Sequence, residues 1–310
     1  MAFHLFHVIT FLMLVVVGTN GAMLPPQLYW KSMLPNTPMP KAITNLLLPG
    51  QWNEGKSTWV DANMDIGNNR ACPFCFYRYA ATDTQLHDKS NVALFFLEND
   101  LHYGKKLNLQ FPKITSNNNG PKFLTKEVAD SIPFSSNKME NILDKLSIKK
   151  GSKEYEIVKK TINECEEKGI KGEEKLCVTS LESMVDFATS RLGNNVEAIT
   201  TEVEKESNEW QQYVIAKGVK KSGDKNKTMV CHKENYPYAV FYCHKTDTIN
   251  VYSVPLEGVD GNRVKAVAVC HTDTSEWNPK HISFQVLKVE PGTVPVCHFL
   301  PHDHVVWVAK

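Results

Sequence analysis

The sequence has no apolar run of the roughly 20 residues that a membrane-spanning helix needs, and neither sign of charge is in excess. Against 35 Lys and Arg stand 34 Asp and Glu in 310 residues. The first lack leaves no segment to hold the mature chain in a bilayer. The second removes the field that would draw the protein to nucleic acid or to an anionic surface. Three enzyme signatures are also missing: a nucleophile elbow, a phosphate-binding glycine loop and a zinc-protease helix.

The N-terminus carries a short apolar run over residues 8–17, broken only by Thr10 and followed by Gly18, Thr19, Gly21 and Ala22. It is too short to span a membrane and has the layout of a cleaved secretory leader, although His4 and His7 take the place of the usual Lys or Arg. Residues 1–22 are therefore expected to be a signal peptide, and the mature chain is expected where disulfides persist. Residues 23–50 hold Pro25, Pro26, Pro35, Pro38, Pro40 and Pro49, which predicts an extended stretch rather than a packed element. Residues 51–90, rich in Asn, Gly, Asp and Lys at their start, read as a variable linker.

The folded domain is expected over 91–310. A continuous apolar run at 92–97 reads as a buried strand, and helical spacing follows in Met139, Ile142, Leu143 and Leu146 behind Ser135 or Ser136, then over 155–162 and 178–192, with Gly193 as a stop. Past Gln211 the pattern turns β-branched, with strands expected at 239–242, 249–254, 264–269, 282–286 and 305–308 and Asp260-Gly261 as a hairpin turn. The predicted class is α+β, a helical first half followed by a mainly antiparallel, disulfide-braced half.

That second half carries four Cys-His dipeptides: Cys231-His232, Cys243-His244, Cys270-His271 and Cys297-His298, separated by ten, 25 and 25 residues, with Trp307 after a further eight. With 8 Cys and 11 His in the chain, chance adjacency would give roughly a third of one such pair. A zinc site using both residue types is one reading. Against it, adjacent side chains on a strand point to opposite faces, so the Cys and His of one dipeptide do not easily serve one metal. The favoured division pairs the four Cys as two disulfides, with three connectivities open, and frees His232, His244, His271 and His298 for a nitrogen-rich site suited to copper or zinc, copper best by the affinity order. Neutral imidazole is the ligand form, so binding is expected to fail below about pH 6.

Of the other cysteines, Cys165 and Cys177 bracket a charged loop suited to closure by a disulfide, and Cys72 and Cys75 read as a small structural disulfide loop. His102, His281, His302 and His304 are expected to face solvent, unless one completes a metal shell. Asn226-Lys227-Thr228 is a glycosylation sequon.

The Cys-His spacing with its trailing Trp307 resembles the signature of the plant BURP-domain family. So do Tyr29-Trp30-Lys31-Ser32 with Leu34-Pro35-Asn36-Thr37-Pro38-Met39-Pro40-Lys41, Phe95-Phe96-Leu97-Glu98 with Asp100-Leu101-His102, Val128 to Phe134, and Thr179 to Phe187. Tyr79 to Asp88 is similar to the subclass known as responsive to dehydration, although residues 51–70 are a short, degenerate version of its repeat region. The resemblance implies an apoplastic or cell-wall protein, with the vacuole as a second location, linked to drought, salt and abscisic-acid responses and partnered by wall polymers or wall proteins. Some members of the family are copper-dependent peptide cyclases that oxidatively join a Tyr or Trp of a core peptide in their own N-terminal region. By that resemblance the copper ligands are His232, His244, His271 and His298. The candidate core residues are Gly55 and Trp59, or Tyr77 and Tyr79.

Overall fold

The computed structural model describes residues 26–47, 95–111 and 121–310. Its helices are α1 (Pro26–Met33), α2 (Lys41–Thr44), α3 (Lys126–Ser131), α4 (Met139–Leu146), α5 (Lys153–Glu166), α6 (Leu181–Leu192) and α7 (Ile282–Leu287). Local chemistry sets their ends. Ser152 caps α5 through the Tyr155 N–H, Ser180 caps α6 through the Ser183 N–H, and α6 stops at Gly193, whose φ of 78° suits a residue without a Cβ. No helix among the described residues is long and apolar enough to cross a membrane.

The strands are β1 (Phe95–Leu97), β2 (Lys106–Phe111), β3 (Glu174–Val178), β4 (Val196–Ile199), β5 (Glu202–Val203), β6 (Ser207–Ile215), β7 (Lys220–Asp224), β8 (Thr228–Lys233), β9 (Phe241–Lys245), β10 (Ile249–Gly258), β11 (Arg263–His271), β12 (Val296–Phe299) and β13 (Val305–Ala309). They form two sheets. An eight-stranded sheet runs β1-β12-β11-β10-β6-β2, with β5 on β11 and β7 on β10, and a five-stranded sheet runs β3-β9-β8-β13-β4. The named pairings are all antiparallel, and the turn at Asp260-Gly261 joins β10 to β11 with Gly261 at a φ of 80°.

Alternation along the strands decides what lies between the sheets. On β11, Val264, Ala266, Ala268 and Cys270 enter one apolar cluster while Val267 and Val269 enter another. On β8 and β13, Cys231, Met229, Val305 and Trp307 pack with α1 and α6, whereas Val230, Val306 and Val308 join the cluster of Val267 and Val269. A valine-rich layer thus sits between the sheets, and helices cover the opposite face of the smaller one.

Gly223 marks a close approach across this layer. A Cβ there would stand 2.9 Å from Val308 Cγ1 and closer still to Thr228 Cγ2. Gly223→Ala is therefore expected to cost about 1–3 kcal/mol by overpacking, read as a lower urea midpoint. An unchanged midpoint would mean that the two sheets can part there without cost.

Two sequence expectations are corrected. Residues 26–47 are not extended but packed, because the prolines fall where helices tolerate them: Pro26 opens α1 and Pro40 precedes α2 as its cap. Trp30 and Leu34, one helical turn apart, are both buried. The Trp30 indole N–H donates to the Thr37 carbonyl at 2.8 Å, and the Thr37 hydroxyl donates to the Val196 carbonyl at 2.6 Å. Residues 282–286, expected as a strand, are helical. Their alternation is too short to separate the two periods, and His281 caps the helix by accepting the Ser283 N–H.

The proposed leader at 1–22 and the candidates Gly55, Trp59, Cys72, Cys75, Tyr77 and Tyr79 lie outside the described residues.

Candidate metal centre

The four dipeptides lie at two equivalent places. On β8 and β9 Cys231 stands directly opposite Cys243, and on β11 and β12 Cys270 stands opposite Cys297. Each facing pair is a disulfide, Cys231–Cys243 and Cys270–Cys297. The register then fixes the histidines. The residue after each Cys lies on the other face of its sheet, and the two such residues of a strand pair are diagonal neighbours, within reach of long side chains.

The rings meet as this geometry requires. His232 Nε2 and His244 Nε2 are 3.2 Å apart, and His271 Nε2 and His298 Nε2 are 3.4 Å apart. Both ring pairs are stacked, with interplanar angles of 26° and 15°. His232 and His271 follow Val230 and Val269 on the faces that meet the valine layer, so the two pairs adjoin at its end.

His304, on the approach to β13, joins the first pair from the other side, its Nδ1 3.0 Å from His232 Nδ1. Around the second pair aromatic rings close in. Trp277 lies 4.9 Å from His271 and 4.8 Å from His281, and Phe95 contacts the rings of His281 and His298.

The solvent-facing expectation is corrected for three of the four remaining histidines. His281 and His304 are buried and His302 is half-buried beside Glu206, with His102 alone exposed. His281 and His304 are the site residues that sequence reasoning missed as buried neighbours. The signal for His304 was its place in the run from Cys297 to Trp307, which β12 and β13 fold back into the site.

Burial governs the electrostatics. It pushes His232 and His271 well below the ordinary imidazole value, helped by the positive charge that each neighbouring ring would carry. His298 is lowered to about 4 by burial and by His304, His244 and His281, against the Phe299 carbonyl that accepts from its Nδ1. His304 is also lowered to about 4, by burial first, with Lys233 and His302 adding to it against Asp303. These four rings are neutral at pH 7, the form that binds metal.

The donor set fits copper or zinc in one respect that can be measured. Two nitrogens about 2.0–2.1 Å from one ion are roughly 3.4 Å apart at the tetrahedral angle and about 2.9 Å at a right angle, and the two Nε2 pairs fall at 3.2 and 3.4 Å. Among the described residues the nitrogens meet in pairs, and no three His, Cys, Asp or Glu side chains close on one point as a finished cage.

Elsewhere, Cys165 and Cys177 form the third disulfide among the described residues, joining the end of α5 to β3. Asn226 is exposed in the turn between β7 and β8, whereas Thr228 of its sequon is buried.

Comparison with known proteins places this architecture. The model of the BURP domain matches residues 94–309. BURP domain protein RD22 of Arabidopsis thaliana is 56% identical over 239 residues, which cover 76% of this chain and 60% of that protein. BURP domain-containing protein 3 of Oryza sativa subsp. japonica is 54% identical over 238 residues, 76% of this chain and 54% of that one. BURP domain-containing protein 5 of the same organism is 43% identical over 296 residues, 94% of this chain and 89% of that one. The chain thus spans 60% and 54% of the first two relatives and most of the third. With a domain match over residues 94–309 and 56% identity to RD22, the chain belongs to the BURP-domain family of plant proteins, among its RD22-type members.

Proposed function

We propose that this protein is secreted to the cell wall space and acts in the response to dehydration, salt and abscisic acid, with copper bound by His232, His244, His271 and His298. The observation that carries the metal reading is the pairing itself: two diagonal histidine pairs, each backed by a cross-strand disulfide, meet with Nε2 separations of 3.2 and 3.4 Å. Bound copper would supply one-electron exchange and chemistry with oxygen. The chain's own contribution is to keep His232, His271 and His298 neutral by burial and to hold the four rings in place by the disulfides behind them. The valine layer limits water on one side. The three disulfides among the described residues suit an oxidising compartment, and a glycan on exposed Asn226 fits the same route. The wall partners would be polymers or wall proteins.

A second reading, oxidative peptide cyclisation, rests on the position of Phe95, the first described residue after Leu47. The segment holding Trp59, Tyr77 and Tyr79 ends at Phe95, which pairs with His298 on β12 and touches its ring. On this reading a Tyr or Trp of that segment is the residue joined.

The test uses the purified mature protein with Cu(II) under air. Stoichiometric binding is expected, weakened by more than about 100-fold in the double variant His244→Ala/His271→Ala, since even outer-shell losses cost 10–100-fold. Absence of binding would end the copper reading. Tryptic peptides spanning residues 22–89 separate its two uses: a loss of about 2 Da marks an oxidative crosslink, and unchanged masses exclude self-cyclisation. Recovery of the protein wholly from vacuoles would contradict the wall location.

A further inference from the structure

Glu173 is a charged residue in a short loop, yet its carboxylate is turned inward. The loop leaves α5 at Glu166 and enters β3 at Glu174, and the Cys165–Cys177 disulfide closes it. Inside it the Glu173 N–H donates to the Ile170 carbonyl at 3.1 Å and the Ile170 N–H donates to Glu173 Oε2 at 3.0 Å. Gly169 leaves room for that oxygen: a Cβ there would stand 2.8 Å from Glu173 Oε2.

The other carboxylate oxygen reaches the metal centre. Glu173 Oε1 lies 3.0 Å from His244 Nδ1, with the side chains 2% and 1% exposed, and it accepts from the Tyr242 hydroxyl at 3.2 Å. Both oxygens thus serve as acceptors, Oε2 for the Ile170 N–H and Oε1 for the Tyr242 hydroxyl, and Oε1 faces His244 Nδ1 in the same role. Register accounts for the reach. β3 pairs with β9 so that Lys175 faces His244 and Cys177 faces Tyr242, which brings the residue before β3 to the end of β9.

A carboxylate on one imidazole nitrogen fixes the tautomer and leaves the other nitrogen as the electron-pair donor, the recurring support of metal-binding histidines. His298 has the equivalent arrangement, Nδ1 toward the Phe299 carbonyl and Nε2 toward His271.

We propose that Glu173 is the positioning residue of His244: it holds the ring as the Nδ1–H tautomer and turns Nε2 toward His232, and the Cys165–Cys177 loop exists in part to present it. For metal affinity this rests on the copper reading above; for the tautomer it does not.

The experiment is a long-range proton–nitrogen correlation on metal-free protein labelled with ¹⁵N at histidine, at pH 7.5, with His244 assigned from His244→Gln. The wild type is expected to show Nε2 of His244 unprotonated. Glu173→Ala should release the ring to the other tautomer and weaken Cu(II) binding by about 10–100-fold. Glu173→Gln, whose amide oxygen still accepts, should retain the tautomer and most of the affinity, and Glu174→Ala on the exposed side should change neither. If Glu173→Ala does not fold, Gly169→Ala displaces the carboxylate with the loop intact and should show the same release. A proton on Nε2 in the wild type, or an unchanged His244 tautomer in the folded Glu173→Ala or Gly169→Ala protein, overturns the proposal. If wild type binds no Cu(II), the copper reading fails and the tautomer still decides the role of Glu173.

Discussion

Between pH 6.5 and about 4 the metal-free protein is expected to lose stability at about 3 kcal/mol per pH unit or more once the unfolded histidines are protonated. Burial lowers His298 and His304 to about 4 in the folded state, while the same side chains titrate near 6.5 in the unfolded chain. In that window the unfolded state takes up protons that the folded state refuses, so unfolding is favoured as pH falls. The stability is fully present above the unfolded value and is lost on the way down to the folded one. Each refused proton is worth about 1.4 kcal/mol per pH unit, and His232 and His271, also held well below the ordinary value, steepen the loss.

The carboxylates act in a lower window. Glu173 and Asp303 are held below their ordinary ranges, so their contribution persists until pH falls past about 4.5 and 3.8 respectively. Urea denaturation at pH 7.5, 6.0 and 5.0 measures the effect. Replacing His304 by Gln should reduce the slope by about one proton. A stability that stays flat from pH 7.5 to 5.0 would contradict the burial of neutral rings.

Replacing Trp30 by Ala is expected to destabilise the fold by about 3–5 kcal/mol, the range for removing a large buried aromatic side chain. Trp30 is 2% exposed and lies against the fully buried Trp307, ring centroids 5.3 Å apart. Its loss removes a contact between α1 and β13 and strands the Thr37 carbonyl, which accepts the indole N–H. Phe123 and Lys122 also bind this segment, donating to the carbonyls of Leu46 and Asn45. The urea midpoint should fall, and proteolysis should cleave within residues 26–47 before the rest of the domain. A Trp30→Ala protein with unchanged midpoint and protection would mean that the segment is an appendage.

How far this was legible depends on whether local pattern or tertiary register decides the feature. The two-faced character of the Cys-His strands followed from side-chain alternation alone, and the helices around Met139, Tyr155 and Leu181 from apolar residues at helical spacing. Which Cys joins which did not, because the choice is made by pairing β8 with β9 and β11 with β12, and sequence spacing is silent on register. The prolines of residues 26–47 misled for a similar reason. They forbid a helix interior but permit its first turn, and Trp30 becomes a core residue only because Trp307 is there to meet it. Glu173 was hidden in a run of Lys and Glu that reads as a solvated loop, and nothing local marks the one carboxylate that points inward. His304 is likewise ordinary until β12 and β13 bring it to His232.

The claim that two diagonal histidine pairs make a copper site is met most directly by electron paramagnetic resonance of the mature protein at pH 7.5 with one equivalent of Cu(II). The expected spectrum shows hyperfine structure from imidazole nitrogens, and the signal is lost to free Cu(II) when His244 and His271 are both replaced by Ala. A wild-type spectrum of unbound Cu(II), or a bound signal that survives that double replacement, would contradict it.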